Sequence, residues 1–409
     1  MFVASLALSL LLAQHPATMS PEAWRYLNRA VDVIQTNSLK RETDWVKLRA
    51  RAIELASMAQ SPKDTYPAIR QTLRSLGDHH SNFLDPDTAS GMKQGEFAST
   101  GLNVFGSYVV YVTPGSPGDR AGVKTHGKIV SVGGKIPKNS HDSEKLFYAA
   151  EDAATANSPV DLDIEDTSGT IHNYKIIPAM INLVEIPRGR RTGDGIGYLD
   201  VPAFVGSPQQ SKVYATALQN LIKTLDTQGV RGWIVDLRQN TGGNCYPMIA
   251  GLGPLLGEGT LGYFVSPTKT DSWWYRAGRS GEAHDVCCKV DRPYHLRREE
   301  PPIAILGSSY TASSGEITMI SFLGMPKVKI FGEPTQGLVT GNDLFKLSDG
   351  ALIILTCVND ADRNHKACAG PIQPDFSSTV DWSVEGLEGD PMIEQACRWI
   401  DDVAAKGAR

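Results

Sequence analysis

An α/β fold with a largely parallel sheet is predicted for the second half of this chain by three observations. Short apolar runs recur at Ile196 to Val201, Gly232 to Leu237 and Ile303 to Leu306. A helical pattern follows each run, and small or glycine-rich residues mark each passage from run to helix. Alternation of this kind builds βαβ units and leaves a site at the carboxyl ends of the strands. At 409 residues the chain is long enough for several modules, and its texture changes twice before the α/β region begins.

Residues Phe2 to Leu12 are apolar apart from two serines, a length suited to the core of a signal peptide over 1–19 and too short to span a bilayer. Ser20-Pro21-Glu22 reads as a helix start, and Trp24, Leu27, Val31 and Ile34 then recur at helical spacing. Similar patterns over Asp44 to Met58 and Thr65 to Leu76 make residues 20–92 a helical region, with a polar turn at Gly77 to Asn82. From Gly101 the pattern becomes strand-like, with runs at Gly101 to Phe105, Tyr108 to Val112, Lys128 to Val132 and Pro159 to Ile164 and one helical stretch at His141 to Ala150. Residues 93–183 are therefore expected to form a compact β-rich module. A charged, glycine-containing link from Arg188 to Gly195 leads into the α/β region, 184–409, which a hairpin over Asp343 to Val358 is expected to complete. Ser266 to Pro301, with Trp273, Trp274 and Tyr275, interrupts the alternation and reads as an insertion near the site.

The hydrophobic fraction of 41% is that of a soluble globular protein, and no stretch after the first residues is long and apolar enough for a membrane helix. Forty basic against forty-five acidic residues, without long runs of either sign, argue against nucleic acid as the main partner. Six cysteines fit an oxidising compartment, and Cys357 with Cys368 is the expected pair because a polar turn separates them. Their spacing suits no zinc site, so no metal is expected.

Two turns could carry chemistry. Ile303 to Glu316 reads as a buried strand, a turn of small residues and a helix start, which exposes Ser313 beside backbone N–H groups. Serine is also a common helix cap, so this turn alone does not decide between the two roles. Val235 to Gly243 repeats the plan, and its adjacent glycines Gly242 and Gly243 allow close backbone approach to a substrate. A phosphate loop is disfavoured because neither the Walker Lys-Ser/Thr pair nor a G-x-G-x-x-G run is present.

Asp236-Leu237-Arg238-x-Asn240-x-Gly242-Gly243, Thr311-Ala312-Ser313-Ser314-Gly315-Glu316, Gly332 to Gly337 and Pro371 to Asp375 together resemble the C-terminal-processing peptidase family. Val112 to Val123 resembles the PDZ signature of those enzymes, with Gly101, Leu102, Asn103 and Val104 in place of the carboxylate-binding loop. The resemblance implies a crotonase-like catalytic domain, a PDZ-like module, proteolysis of polypeptides carrying a free C-terminus, a periplasmic or secreted location, and neither cofactor nor metal. By position in the motif it makes Ser313 the nucleophile and the N–H groups of Gly242, Gly243 and Ser314 the oxyanion donors. Where the lysine-using branch has its base this chain has Leu338, whereas Asp78-His79-His80 matches the Asp-x-His motif of the tricorn-like branch and makes His80 the base. The glutamate that this branch carries before its last motif is absent from Lys366 to Gly370, which leaves Asp362 or Asp360, and Asp78 or Ser81, as groups to orient the histidine. A ligand-binding relative without turnover, and an esterase on the same serine, are the alternative functions.

Overall fold

A computed structural model of the chain describes residues 15–154, 158–192 and 195–407, and the expected signal-peptide core lies outside them. The chain forms two compact units: residues 1–91, 264–271 and 338–361 make one, and the remaining segments make the other.

In the first unit the expected helix start forms as read. Ser20 sits in extended backbone, its Oγ accepts the Ala23 N–H at 3.1 Å, and Pro21 opens the helix Pro21–Asn37. Helices Trp45–Leu55 and Tyr66–Arg74 follow, then the short strand Asn82–Leu84. That strand pairs antiparallel with Leu352–Asp362, whose other edge pairs with Thr340–Lys346, so the hairpin expected from the sequence is present and longer than expected. Its allegiance differs from the expectation. Leu347, Ile353 and Leu355 fill the same core as Leu27, Ile34, Ile69 and Phe83, so the hairpin completes the helical layer rather than the α/β sheet. The hydroxyls of Tyr26 and Tyr66 both donate to the Asp349 carboxylate at the hairpin turn, at 2.8 and 2.6 Å.

The second unit holds the predicted parallel sheet. Its order is Phe376–Ser377, Val328–Gly332, Ile303–Gly307, Trp233–Asp236, Gly197–Asp200 and Arg188–Arg191, parallel throughout except for the last strand. Helix Pro391–Gly407 buries Met392, Ala396 and Ile400 against Ile234, Ala304, Leu306 and Phe331 of the sheet. Helices Pro208–Leu225 and Cys245–Leu256 pack on each other. The β-rich segment is a five-stranded antiparallel sheet, Leu102–Phe105, Tyr108–Val112, Lys128–Val132, Val160–Glu165 and Ile171–Ile176, with its own core around Phe147. The aromatic insertion is a ribbon of strands, Thr270–Arg276, Arg279–Glu282 and Asp285–Lys289. Its Trp273 is fully buried and donates its indole N–H to Ser321 Oγ at 2.9 Å, which is a packing role.

One expectation fails outright. Cys357 is a free, buried thiol, so the Cys357–Cys368 bridge is not formed. The strand bearing Cys357 pairs with Thr340–Lys346 instead of with the segment around Cys368. None of the described helices is long and apolar enough to cross a membrane.

Candidate active site

Strand Ile303–Gly307 is buried along its whole length and delivers the chain into the turn that precedes helix Ser314–Ile320. Hydroxyls rather than apolar groups shape that turn. Ser308 Oγ donates to the Arg238 carbonyl at 2.6 Å, and Thr311 Oγ1 donates to the Leu237 carbonyl at 2.8 Å while accepting the Ser308 N–H at 3.0 Å. Ser313 then adopts φ +52° and ψ −118°. Ordinary capping serines sit in extended backbone, as Ser20 (ψ 151°) and Ser207 (ψ 164°) do here, so the conformation separates Ser313 from them. A non-glycine residue held there stores on the order of 1–3 kcal/mol, which the surroundings must oppose. Glu316, fully buried, supplies that opposition: Oε2 accepts the Ser313 N–H at 3.0 Å, and Oε1 accepts the Thr335 hydroxyl and, at 2.9 Å, the Gly337 N–H.

The neighbouring turn after strand Trp233–Asp236 locks onto this one through Asn240. Its carbonyl accepts the Ala312 N–H at 3.0 Å, its Oδ1 accepts the Gly242 N–H at 3.1 Å, and its Nδ2 donates to the Val201 carbonyl at 2.9 Å. Gly242 (φ +113°) lies so close to the serine turn that a Cβ on it would stand 2.9 Å from Ser313 Cβ. Gly243 (φ +102°) is equally constrained, since a Cβ there would stand 2.0 Å from the Phe204 carbonyl oxygen. Ser314 Oγ donates to the Gly243 carbonyl at 2.7 Å and closes the arrangement. Neither the Gly243 N–H nor the Ser314 N–H finds a hydrogen-bond partner among the described residues, whereas the Gly242 N–H is taken by Asn240. The Asp-Leu-Arg part of the motif is a buried ion network beneath the turn. Arg238 is fully buried and pairs with Asp236 at 2.6 Å and Asp390 at 2.7 Å.

His80 and Asp78 lie in the first unit. Asp78 Oδ1 accepts the backbone N–H groups of His80 (3.1 Å) and Ser81 (2.9 Å), and Oδ2 accepts the Ser81 hydroxyl at 2.7 Å, so this carboxylate shapes the loop. His79, at φ +58°, is exposed, while His80 is half-buried with Nδ1 2.7 Å from Thr340 Oγ1. Burial holds the His80 imidazolium below its ordinary pKa, and the Asp78 charge works against that shift. Asp362, in the second unit, spends Oδ1 on the Asn364 and Lys366 N–H groups of its own turn. Ser313, Ser314, Gly242 and Gly243 are thus brought together in one unit, and Asp78 and His80, with Thr340, in the other. Thr340 escaped sequence reasoning because it lies 260 residues from His80 and belongs to no motif.

In the β-rich module the Gly101 carbonyl accepts the Thr113 N–H at 2.8 Å, Leu102 and Val104 are buried, and the Asn103 amide donates to Glu185. Phe105 stacks on Trp382 with ring centroids 5.2 Å apart and meets Tyr310 edge-on at 4.8 Å, which joins the module to the start of the serine turn.

Comparison with known proteins accords with this geometry. The model of peptidase family S41 matches residues 195–378. A nisin-resistance protein of Lactococcus lactis subsp. lactis is 33% identical over 191 residues, 45% of this chain and 58% of that protein. A chloroplastic carboxyl-terminal-processing peptidase 1 of Arabidopsis thaliana is 26% identical over 381 residues, 88% of this chain and 71% of that protein. Among solved structures, a lipoprotein from Streptococcus agalactiae superposes with TM-score 0.60 at 20% identity, covering 94% of this chain and 98% of that one. A photosystem II D1 C-terminal processing protease gives TM-score 0.56 at 20% identity, covering 93% and 97%. At such identity the two structures speak for the fold alone. The motifs, the matched family model and these relatives agree in what the chain is similar to: peptidase family S41, over residues 195–378.

Proposed function

We propose that the chain is a serine endopeptidase of the C-terminal-processing type, acting on exported polypeptides, with a crotonase-like catalytic domain and a PDZ-like module. The observation that carries this reading is Ser313 held at positive φ against Gly242, beside two N–H groups with no partner among the described residues. In the proposed reaction Ser313 Oγ attacks the scissile carbonyl while His80 takes its proton and returns it to the leaving amine, and water then hydrolyses the acyl-enzyme. The tetrahedral oxyanion is bound by the N–H groups of Ser314 and Gly243, and Gly242 contributes proximity rather than a donor. His80 works as a neutral base, with Nδ1–H donated to the Thr340 hydroxyl so that Nε2 keeps its lone pair. This assigns His80 to the histidine-using branch and gives its Nδ1 an uncharged hydroxyl, that of Thr340. A fluorophosphonate probe tests the core of the proposal and is expected to label Ser313 in folded protein. Absence of labelling would favour a ligand-binding relative, and turnover of small esters without turnover of unstructured polypeptides would favour an esterase.

A further inference from the structure

The ribbon of strands Thr270–Arg276, Arg279–Glu282 and Asp285–Lys289 takes no part in the reaction proposed above, and its two faces differ. On the inner face Trp273 and Tyr275 are buried. Trp273 reaches Ser321, directly after the helix that follows Ser313. Tyr275 lies so close to Gly253, in the helix that follows the Gly242–Gly243 turn, that a Cβ there would stand 2.0 Å from its ring. The ribbon is thereby fixed to both helices that leave the catalytic turns. Side chains alternate between faces along a strand, so the pairing register defines the outer face. There Arg276 stands opposite Arg279, and Arg279 opposite Lys289, a row of three exposed cations across three strands. Like charges directly opposite each other cost stability. The next row on this face is Trp274, Gly281 and Val286. A Cβ on Gly281 would stand 2.4 Å from the Trp274 ring, and Val286 is 51% exposed. Arg276, Arg279, His284, Trp274 and Val286 line a cavity of about 330 Å³ here, with no acidic side chain among its described lining residues. The acids of the ribbon and its flanks serve elsewhere. Glu282 accepts the Tyr246 hydroxyl at 2.6 Å, Glu258 accepts the Ala277 N–H at 3.2 Å, and Asp291 is shared by Lys212 and Lys289. Arg276 lies over the Trp274 ring at 5.1 Å, whereas the Arg279 guanidinium and the His284 ring have neither ion pair nor hydrogen bond among the described residues.

We propose that this outer face is a docking site for an acidic segment of the polypeptide substrate, away from the scissile bond. Carboxylates of the segment pair with the Arg276 and Arg279 guanidinium groups and relieve the repulsion within the cation row. An apolar residue beside them sits on Trp274 and Val286. A polypeptide is favoured over other polyanions by the adjoining backbone. Asp285–Lys289 is the last strand of its sheet, and residues 285–287 are exposed, so an extended chain can add to its outer edge. That the segment belongs to a substrate rests on the peptidase reading, whereas the binding itself does not.

Binding is measured apart from catalysis. The full chain carrying Ser313→Ala is titrated by fluorescence anisotropy with a fluorescein-labelled, carboxyl-amidated peptide in which Asp and Glu alternate with Leu, and with its Asn/Gln counterpart. The acidic peptide is expected to bind more tightly than the counterpart, and to weaken as salt is raised. Adding Arg276→Glu and Arg279→Glu is expected to weaken it about tenfold or more, the scale of one charge-assisted hydrogen bond, and to leave the counterpart unaffected. Equal affinity for the two peptides, or no change on charge reversal, overturns the proposal. If the acidic peptide stays unbound while the arginines recruit the chain to phosphatidylglycerol vesicles, or drive its self-association in sedimentation, the proposal falls in favour of a lipid surface or a second copy. If thermal melts show the charge-reversed chain to be unfolded, Arg276→Gln with Arg279→Gln is read by the same criterion. Fluorophosphonate labelling of Ser313 is scored separately in the chain that keeps its serine, with and without the arginine substitutions, and equal labelling is expected. Absence of labelling in both removes the peptidase reading and leaves the docking site standing, so the two can fail apart.

Discussion

The turn Ser308 to Ser313 and the loop Gly77 to Asn82 carry the two reacting groups of the proposed chemistry, and they are held by different means. The serine turn is anchored by fully buried partners, Asn240 and Glu316, and its nucleophile is kept in a conformation that a free chain would leave. The histidine loop is half-exposed, shaped by one carboxylate on backbone N–H groups, and its ring nitrogen Nδ1 meets a hydroxyl from a strand distant in sequence. A strained position needs many simultaneous restraints and tolerates little change. A loop turned by its own Asx contacts needs fewer restraints.

Breaking the histidine loop at its ring should have the largest effect. His80→Ala is expected to lower kcat/KM by about 10³-fold or more, as loss of a triad base does. His79→Ala, whose ring is exposed, should stay within a few-fold, and steady-state hydrolysis of an unstructured polypeptide reads both. Equal losses in the two variants would remove His80 from the mechanism. On the serine side, Gly242→Ala puts a methyl 2.9 Å from Ser313 Cβ at φ +113°, so it should cost about 1–3 kcal/mol in chemical denaturation and roughly 10²-fold in turnover. A variant with full stability and activity would show that the turns are less tightly locked than their geometry indicates.

Smaller effects sharpen the contrast. Thr340→Val removes the acceptor for Nδ1–H and should lower kcat about tenfold, the scale of one hydrogen bond, while KM hardly moves and Thr340→Ser restores most of the rate. The pH profile follows from the direction of the His80 shift. Burial disfavours the imidazolium, so the neutral, base-competent form persists to lower pH than for a free histidine of pKa about 6.5. Activity should therefore fall only as pH drops below that value. Asp78→Asn, which keeps an oxygen acceptor but removes the opposing charge, should move this acid limb lower still. An acid limb well above 6.5 would contradict the assignment.

The same contrast explains what the sequence revealed. The serine turn was readable because strand, small residues and helix are contiguous, and each hydroxyl that shapes it lies within the motif. The helix start at Ser20, the parallel strands and the module's strands were readable for the same reason, since local periodicity and caps carry them. Thr340 was not, because antiparallel pairing rather than spacing brings Thr340–Lys346 into the same sheet as the strand that follows the histidine loop. Asp362 suits the role of orienting acid by position along the chain, and its Oδ1 accepts the Asn364 and Lys366 N–H groups of its own turn. The expected disulfide failed on the same ground, since strand partners and not the length of the intervening turn decide which cysteines can meet.

The two tyrosine hydroxyls on Asp349 tie the order of synthesis to the order of folding. Tyr26 precedes its partner by 323 residues and Tyr66 by 283. At about 5–20 residues per second, the first helices wait roughly 15–65 s for the segment that completes their core. Through that interval Leu27, Ile34 and Ile69 lack the hairpin residues they finally bury against. The amino-terminal helices are therefore among the first segments made and among the last to be finished, and whatever holds the nascent chain during that wait is part of how this protein reaches its native state.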